Sequence, residues 1–284
     1  MQTVMNIIGQ GLALGAIYLL SALGLTVIYG VMGVVNLAHG DLLMLGSYVV
    51  AMTAGALTVP GAIIAAFFVV ALVGLVLEAL VIRHLQHKAV ASMLATWGIA
   101  LVITQVVIMV FGAQLRYVSL PIASSFAIGF GARLPWWDVV MILCSVGAAL
   151  GLWWLIARTK FGLQMRAVVA DPSVAESLGL RVAHVNRWTF ALGCGLAGLG
   201  GALIAPIQTV SPEMGVPYLV AAFLVVVLAR LGNVRGTILW AMAVGVGYAA
   251  VAVPVNDTMA SILVWSAALV LVALRRRSLV VARV

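Results

Sequence analysis

Charge is what this sequence lacks. Of 284 residues, 15 are Lys or Arg and 7 are Asp or Glu, 8% in all, against roughly 25% in an ordinary soluble domain. The first basic residue is Arg83, and the only acids before it are Asp41 and Glu78. A soluble fold needs a charged skin, so this scarcity excludes a soluble enzyme, a nucleic-acid-binding domain and a disordered chain. Cysteine is scarce too. Cys144 and Cys194 both lie in apolar runs, too few for a disulfide framework or zinc site, and read as small buried hydrophobes. No His-x-x-x-His pair and no paired intramembrane acids occur, so neither a metal site nor a membrane-embedded enzyme is expected. Lysine is nearly missing. A phosphate-cradling nucleotide loop needs Lys followed by Ser or Thr, but Lys88 precedes Ala89 and Lys160 precedes Phe161. The chain therefore binds no ATP in that way. No basic residue precedes the first apolar stretch, which reads as a membrane span rather than a cleaved leader.

What is present is apolar: 65% hydrophobic residues and a mean hydropathy of +1.25. Runs near the 20 or so residues a crossing helix needs lie at 8–33, 41–59, 61–82, 90–111, 137–157, 188–206, 218–231, 237–253 and 258–274. The expected architecture is an all-α polytopic transmembrane bundle of eight to ten spans, forming a single domain over 1–284. Pro60-Gly61 reads as a turn, and the 218–231 span is short enough for a half-helix. With nine spans, Arg83, Lys88, Arg158, Lys160, Arg166, Arg181, Arg187, Arg230, Arg235, Arg275, Arg276, Arg277 and Arg283 share one side, leaving only Arg116 and Arg133 on the other. The positive-inside rule makes the first side cytoplasmic, with the N-terminus outside and the C-terminus inside. The net charge of +8 is thus a topology signal and no footprint of nucleic acid. Small residues recur at four-residue spacing (Gly11 and Gly15; Ser47, Ala51 and Gly55; Gly147 and Gly151; Ala197 and Gly201; Ala241 and Gly245), as close helix packing in lipid requires.

Two loops stand out. In the cytoplasmic loop 158–187, Ala170 to Gly179 reads as a short complete helix. Asp171 suits the N-cap, Pro172 the first helical position and Gly179 the left-handed residue past the end. Such a helix is marginal alone, so it either lies on the membrane surface as a linker or docks a cytoplasmic partner. The external loop 112–135 holds turns and short extended pieces at Ser119-Leu120-Pro121, Gly129-Phe130-Gly131 and Arg133-Leu134-Pro135.

Polar groups at membrane depth mark candidate sites. The densest run is Tyr29 to Asp41. Asn36 and His39 have the spacing of one helix face. Gly30, Gly33 and Gly40 allow a helix break, whose free backbone groups either bind a ligand or are satisfied by Asn36 and His39 themselves. Glu78 reads as snorkelling or paired with a basic residue. Thr104 and Gln105 read as interhelical hydrogen-bonding groups, and Trp136, Trp137, Trp153 and Trp154 as interfacial anchors.

These residues resemble a known family. Gly15-x-x-Tyr18-x-Leu20-x-Ala22-x-Gly24-Leu25-x-x-x-Tyr29-Gly30, then Asn36-x-Ala38-His39-Gly40-Asp41-x-x-Met44-x-Gly46-x-Tyr48, is similar to the N-terminal signature of branched-chain amino acid ABC transporter permeases. So are Arg166-Ala167 with Asp171-Pro172, Ala175 and Leu178-Gly179-Leu180, and the glycine-rich Gly195-x-x-Gly198-x-Gly200-Gly201. The resemblance implies a permease subunit of the bacterial inner membrane that pairs with a homologous second permease. Two cytoplasmic ATPases would bind the ATP, and an extracytoplasmic binding protein would deliver substrate. It makes Asp171 to Leu178 a coupling helix, with Arg166, Ala175, Glu176 and Gly179 around it. It places Tyr29, Asn36, His39, Gly40 and Asp41 in the substrate pathway. Ala229, Arg230, Arg235 and Trp240 depart from the family pattern. Members also serve urea, short amides and aromatic acids. An ion-coupled secondary transporter is the competing class, and it predicts inverted repeats and titratable groups near the midplane.

Overall fold

Glycine, proline and short polar side chains cut the apolar chain into helices. The computed structural model describes residues 1–53, 56–85, 88–119, 124–129 and 132–281. The first helix, α1 (Gln2–Met32), stops where Gly33 takes a left-handed φ of 66° and returns its N–H to the Tyr29 carbonyl. Residues 33–38 are non-helical, and α2 (His39–Thr53) starts after them. Next come α3 (Val59–Leu80), a 3-10 turn at Ile82–His84 and α4 (Ala89–Phe111). Strands β1 (Ser125–Gly129) and β2 (Ala132–Pro135) form an antiparallel hairpin. Helices α5 (Trp136–Arg158), α6 (Lys160–Ala170), α7 (Pro172–Ser177), α8 (Val182–Ile204), α9 (Gly215–Ala229), α10 (Val234–Ala252) and α11 (Asp257–Val281) complete the chain.

The fold is an all-α polytopic membrane bundle. Among the described residues, seven helices are long and apolar enough to cross a membrane. This corrects the expected eight to ten. The difference lies in α2 and α9, each 15 residues long, or about 22 Å at 1.5 Å per residue against a hydrocarbon core of about 30 Å. The short α9 matches its half-helix expectation; the shortness of α2 does not follow from its unbroken apolar run. Pro60 sits in the first turn of α3 behind Thr58, where its missing N–H is harmless, so Pro60-Gly61 is not the turn.

An order of long, short, long, long occurs twice, in α1–α4 and again in α8–α11. The two sets run oppositely and exchange partners. Helix α1 lies antiparallel to α10: Gly11 meets Gly245 and Val246, Gly15 meets Ala241 and Met242, and Gly30 meets Gly232. Helix α8 lies antiparallel to α3, with Gly198 against Val70 and Ala66, and Cys194 against Gly74. Ser47 of α2 donates to the Gly201 carbonyl of α8 at 2.7 Å. The small-residue stripes thus pair with one another, Gly55 lying outside the described residues. Gly147 and Gly151 are the exception, with nothing within 4 Å of a Cβ built on either. Inverted repeats were the expected mark of an ion-coupled transporter. Here they do not discriminate, because two oppositely oriented halves can rock between alternate states whatever energy source drives them.

The core is the α1–α2–α8–α9 centre, and α1 is its most buried span. Glu78, 1% exposed, pairs with Arg187 at 3.2 Å, joining α3 to α8. Trp136, Trp153 and Trp154 are exposed as anchors should be, but Trp137 is buried and donates its indole N–H to the Leu203 carbonyl at 3.0 Å. It is a core residue because it lies on the side of α5 that meets the end of α8. Cys194 is buried and Cys144 half-buried, both free.

Candidate functional site

Two places gather the sequence-marked residues. The first is the break between α1 and α2. Its backbone cannot use helical partners, so side chains take their place. Asn36 Oδ1 accepts the Ala38 N–H at 3.1 Å, an Asx turn that opens α2. Thr96 of α4 reaches across and accepts the Leu37 N–H at 3.1 Å, while its own hydroxyl hydrogen goes to the Met93 carbonyl one turn back at 2.9 Å, nearer than the Val35 carbonyl at 3.4 Å. Asn36 and His39 therefore do not share a helix face; Asn36 lies in the break because its amide is used to start α2. His39 is fully buried and donates from Nε2 to the Ser21 carbonyl of α1 at 2.8 Å. Asp41 points toward α4 instead and accepts from the Thr104 hydroxyl at 2.7 Å. Thr104 thus makes its interhelical bond, while Gln105 is on the surface. Tyr29 stays on the last turn of α1, and no hydrogen bond among the described residues joins its hydroxyl to the cluster.

Gly40 touches a second helix start. A Cβ on Gly40 would lie 2.6 Å from the Gly215 carbonyl oxygen, and one on Gly215 would strike Gly40 in return. The N-terminal ends of both 15-residue helices thus meet inside the bundle. Each carries the partial positive charge of a helix start, an arrangement that favours an anionic group such as a carboxylate. Around it, Asn36 Nδ2, His39 Nδ1 and Ser21 Oγ are buried without hydrogen-bond partners. Three unpaired polar groups beside two helix starts can bind a small zwitterion or ordered water. Ser21, Thr96 and Gly215 escape a sequence reading because each is a lone small residue in an apolar run.

The second place is the 158–187 segment. Thr159 caps α6 by accepting the Gly162 N–H at 3.0 Å. Asp171 ends α6 and starts α7, its Oδ1 accepting from the Ser173 and Val174 N–H groups at 2.8 and 3.1 Å and from the Ser173 hydroxyl at 2.6 Å. These bonds hold its carboxyl below the ordinary value. Pro172 occupies the first turn of α7. Gly179 has φ 83°, and its N–H returns to Glu176 while Leu180 returns to Ala175, the paired bonds of a Schellman stop. Every capping role expected of Asp171, Pro172 and Gly179 is filled. Ala175 is buried, whereas Val174 and Leu178, one turn apart, are 53% and 77% exposed. Arg166, though exposed, donates to the Ile156 carbonyl at 2.6 Å and so fixes α6 to the end of α5. Glu176 is exposed.

Of the departures from the family pattern, Arg230 carries a consequence. It ends α9 at φ 69°, the one positive φ outside glycine among the described residues. Gly232 follows at φ 83° and lies against Gly30. In the loop 112–135, Ser125–Gly129 and Ala132–Pro135 are the hairpin, with Leu134 against Gly9. Leu120, Pro121, Phe130 and Gly131 of the expected turns lie outside the described residues. Among the described residues no cluster of metal-ligating side chains occurs.

This geometry meets clear matches among known proteins. The family model described as "Branched-chain amino acid transport system / permease component" matches residues 7–274. The chain is 28% identical over 258 residues to the high-affinity branched-chain amino acid transport system permease protein LivH of Escherichia coli strain K12, covering 84% of this chain and 83% of that one. It is 25% identical over 256 residues to the corresponding permease protein BraD of Pseudomonas aeruginosa, with the same coverage. It is 27% identical over 239 residues to a probable branched-chain amino acid transport permease protein LivH of Methanocaldococcus jannaschii, covering 80% and 74%. No solved structure is a significant match. With nearly its whole length matched, the chain belongs to the branched-chain amino acid ABC transporter permease family, as a membrane-embedded transport component and not an enzyme.

Proposed function

We propose that this chain moves branched-chain or related amino acids across a bacterial inner membrane as one permease of a paired set, with 1–284 as a single transmembrane domain. Two separate ATPases would supply the energy and an extracytoplasmic binding protein the substrate. The carrying observation is α7: a helix of only six residues, stopped at both ends by its own caps, that presents Val174 and Leu178 to solvent. Two exposed apolar side chains one turn apart on a rigid, short helix suit a socket on another protein. Arg166 and the Thr159 cap tie α6, and with it α7, to the end of α5, so a push on α7 is passed into the bundle. The helix break holding Asn36, His39, Gly40 and Asp41 is the proposed substrate pathway. Tyr29 marks its α1 end. In this reading Arg158, Lys160, Arg166, Arg181, Arg187, Arg230 and Arg235 face the cytoplasm.

The test is reconstitution of the chain with its copurifying partners in proteoliposomes. Leucine uptake should require ATP and survive an uncoupler. Leu178→Ser should cut substrate-stimulated ATP hydrolysis at least fivefold while the subunits still copurify. Uptake by this chain alone, driven by an ion gradient, would defeat the proposal.

A further inference from the structure

One helical turn along α1 from Ser21 and along α9 from Gly215, a cavity of about 350 Å³ opens between α1, α9, α10 and α11, toward the end of the bundle that carries the hairpin. Its wall is aromatic: Tyr18, Tyr218, Tyr248 and Trp265 come from four different helices. Tyr18 and Trp265 meet edge to face at 5.8 Å. Gln208 and Asp257 stand at the rim, both exposed. The Tyr248 hydroxyl donates to the Asp257 backbone carbonyl at 3.1 Å. This bond ties the end of α10 to the start of α11 and leaves the Asp257 carboxylate free. Asp257 has no salt bridge among the described residues, and no Lys, Arg or His lines the cavity.

The buried pair is more telling. Tyr18 and Tyr218 are 6% and 7% exposed, yet neither hydroxyl has a hydrogen-bond partner among the described residues. A buried phenol ordinarily finds one. Both residues line the cavity, so a ligand or water in it is the available partner. One unpaired carboxylate, phenol oxygens able to accept and an aromatic wall with no basic side chain all select a cation over an anion. The volume is near the lower bound of small-molecule pockets, roughly 300–1,000 Å³.

We infer that this cavity binds an organic ammonium group, with Asp257 as counter-ion, Tyr18 and Tyr218 as hydrogen-bond acceptors and Trp265 as the ring face. None of these residues lies in the 29–41 segment, and the inference holds whether or not the ligand is afterwards transported. A free amine-bearing solute and an amine-bearing lipid headgroup present the same chemistry.

The full chain in nanodiscs of phosphatidylglycerol, a lipid with no amine, separates these cases. Isopentylammonium and tetramethylammonium should bind saturably by calorimetry, and isocaproate, which has the carboxylate but no ammonium, at least tenfold more weakly. Asp257→Asn should weaken ammonium binding at least tenfold with unchanged melting temperature. Tyr218→Phe, which removes one oxygen from the wall, should weaken it at least threefold for isopentylammonium, which can donate hydrogen bonds, and not for tetramethylammonium, which cannot. Added phosphatidylethanolamine that competes assigns the site to a headgroup, and failure to compete assigns it to a free solute; both keep the ammonium site. Equal binding of isocaproate, no saturable ammonium binding, or indifference to Asp257→Asn would overturn the inference.

Discussion

Among the described glycines the closest backbone approach joins α2 to α8, and Gly46→Ala tests whether it holds the centre together. A methyl at Gly46 runs into the Gly198 carbonyl oxygen, with Gly198 Cα only 2.6 Å away. The obstructing atoms are all backbone, so no rotamer change relieves them. The helices must part by roughly 1 Å to restore ordinary contact. That separation also stretches the 2.7 Å bond from Ser47 to the Gly201 carbonyl out of hydrogen-bonding range. Overpacking of a close interface costs about 1–3 kcal/mol and a lost hydrogen bond about 1 kcal/mol, a total of about 2–4 kcal/mol. Gly98→Ala is the internal control: it lies on α4 with nothing within 4 Å of its added methyl, so only helix propensity changes and stability should rise slightly. Denaturant or thermal unfolding of purified protein in one detergent compares the two. If Gly46→Ala unfolds with the wild type while Gly98→Ala behaves as expected, close backbone packing is not what holds α2 to α8.

Three further outcomes follow from single residues. Arg230→Gly removes a positive-φ strain and should stabilise by about 1 kcal/mol, seen as a raised melting temperature, whereas Arg230→Val should lower it. Thr96→Val leaves the Leu37 N–H without its acceptor and should cost about 1–3 kcal/mol; an unchanged melting temperature and unchanged uptake would remove Thr96 from the break. The Asp171 carboxyl is held below its ordinary 3.8, so its contribution to the α7 cap is complete above that value and is lost as pH falls through the depressed one. Amide-exchange protection of the α7 N-terminus should thus be flat from pH 7 to 5, drop only in stronger acid, and be partly kept in Asp171→Asn but not in Asp171→Ala.

The helices were legible in the sequence because lipid imposes a length and an apolar composition on each. The α7 caps were legible because Asp, Pro and Gly at fixed offsets each solve a local backbone problem. The depth at which a helix begins is not local. Nothing in the composition of α2 says that it starts beside Ser21 of α1, since that depends on Gly40 meeting Gly215 and on Thr96 arriving from another helix. The same applies to Asn36 and His39. Their spacing suits a helix face, but tertiary contacts spend Asn36 on opening α2 and turn His39 toward α1. Trp137 was misread for a related reason: an indole at a span end has the same sequence context whether it faces lipid or α8.

Helix α4 takes on a different character in this light. Its outer surface is open, with Trp97, Leu101, Val102 and Met109 between 55% and 77% exposed. Its polar grip on the body includes Thr96 on Leu37 and Thr104 on Asp41. The Thr96 oxygen accepts from the bare backbone of the break while its hydrogen is taken by the Met93 carbonyl of its own helix. Helix α4 is thus a splint laid along the bundle: lightly held itself, it steadies by two hydroxyls the start of α2 and the stretch of chain before it that has no helical bonds of its own.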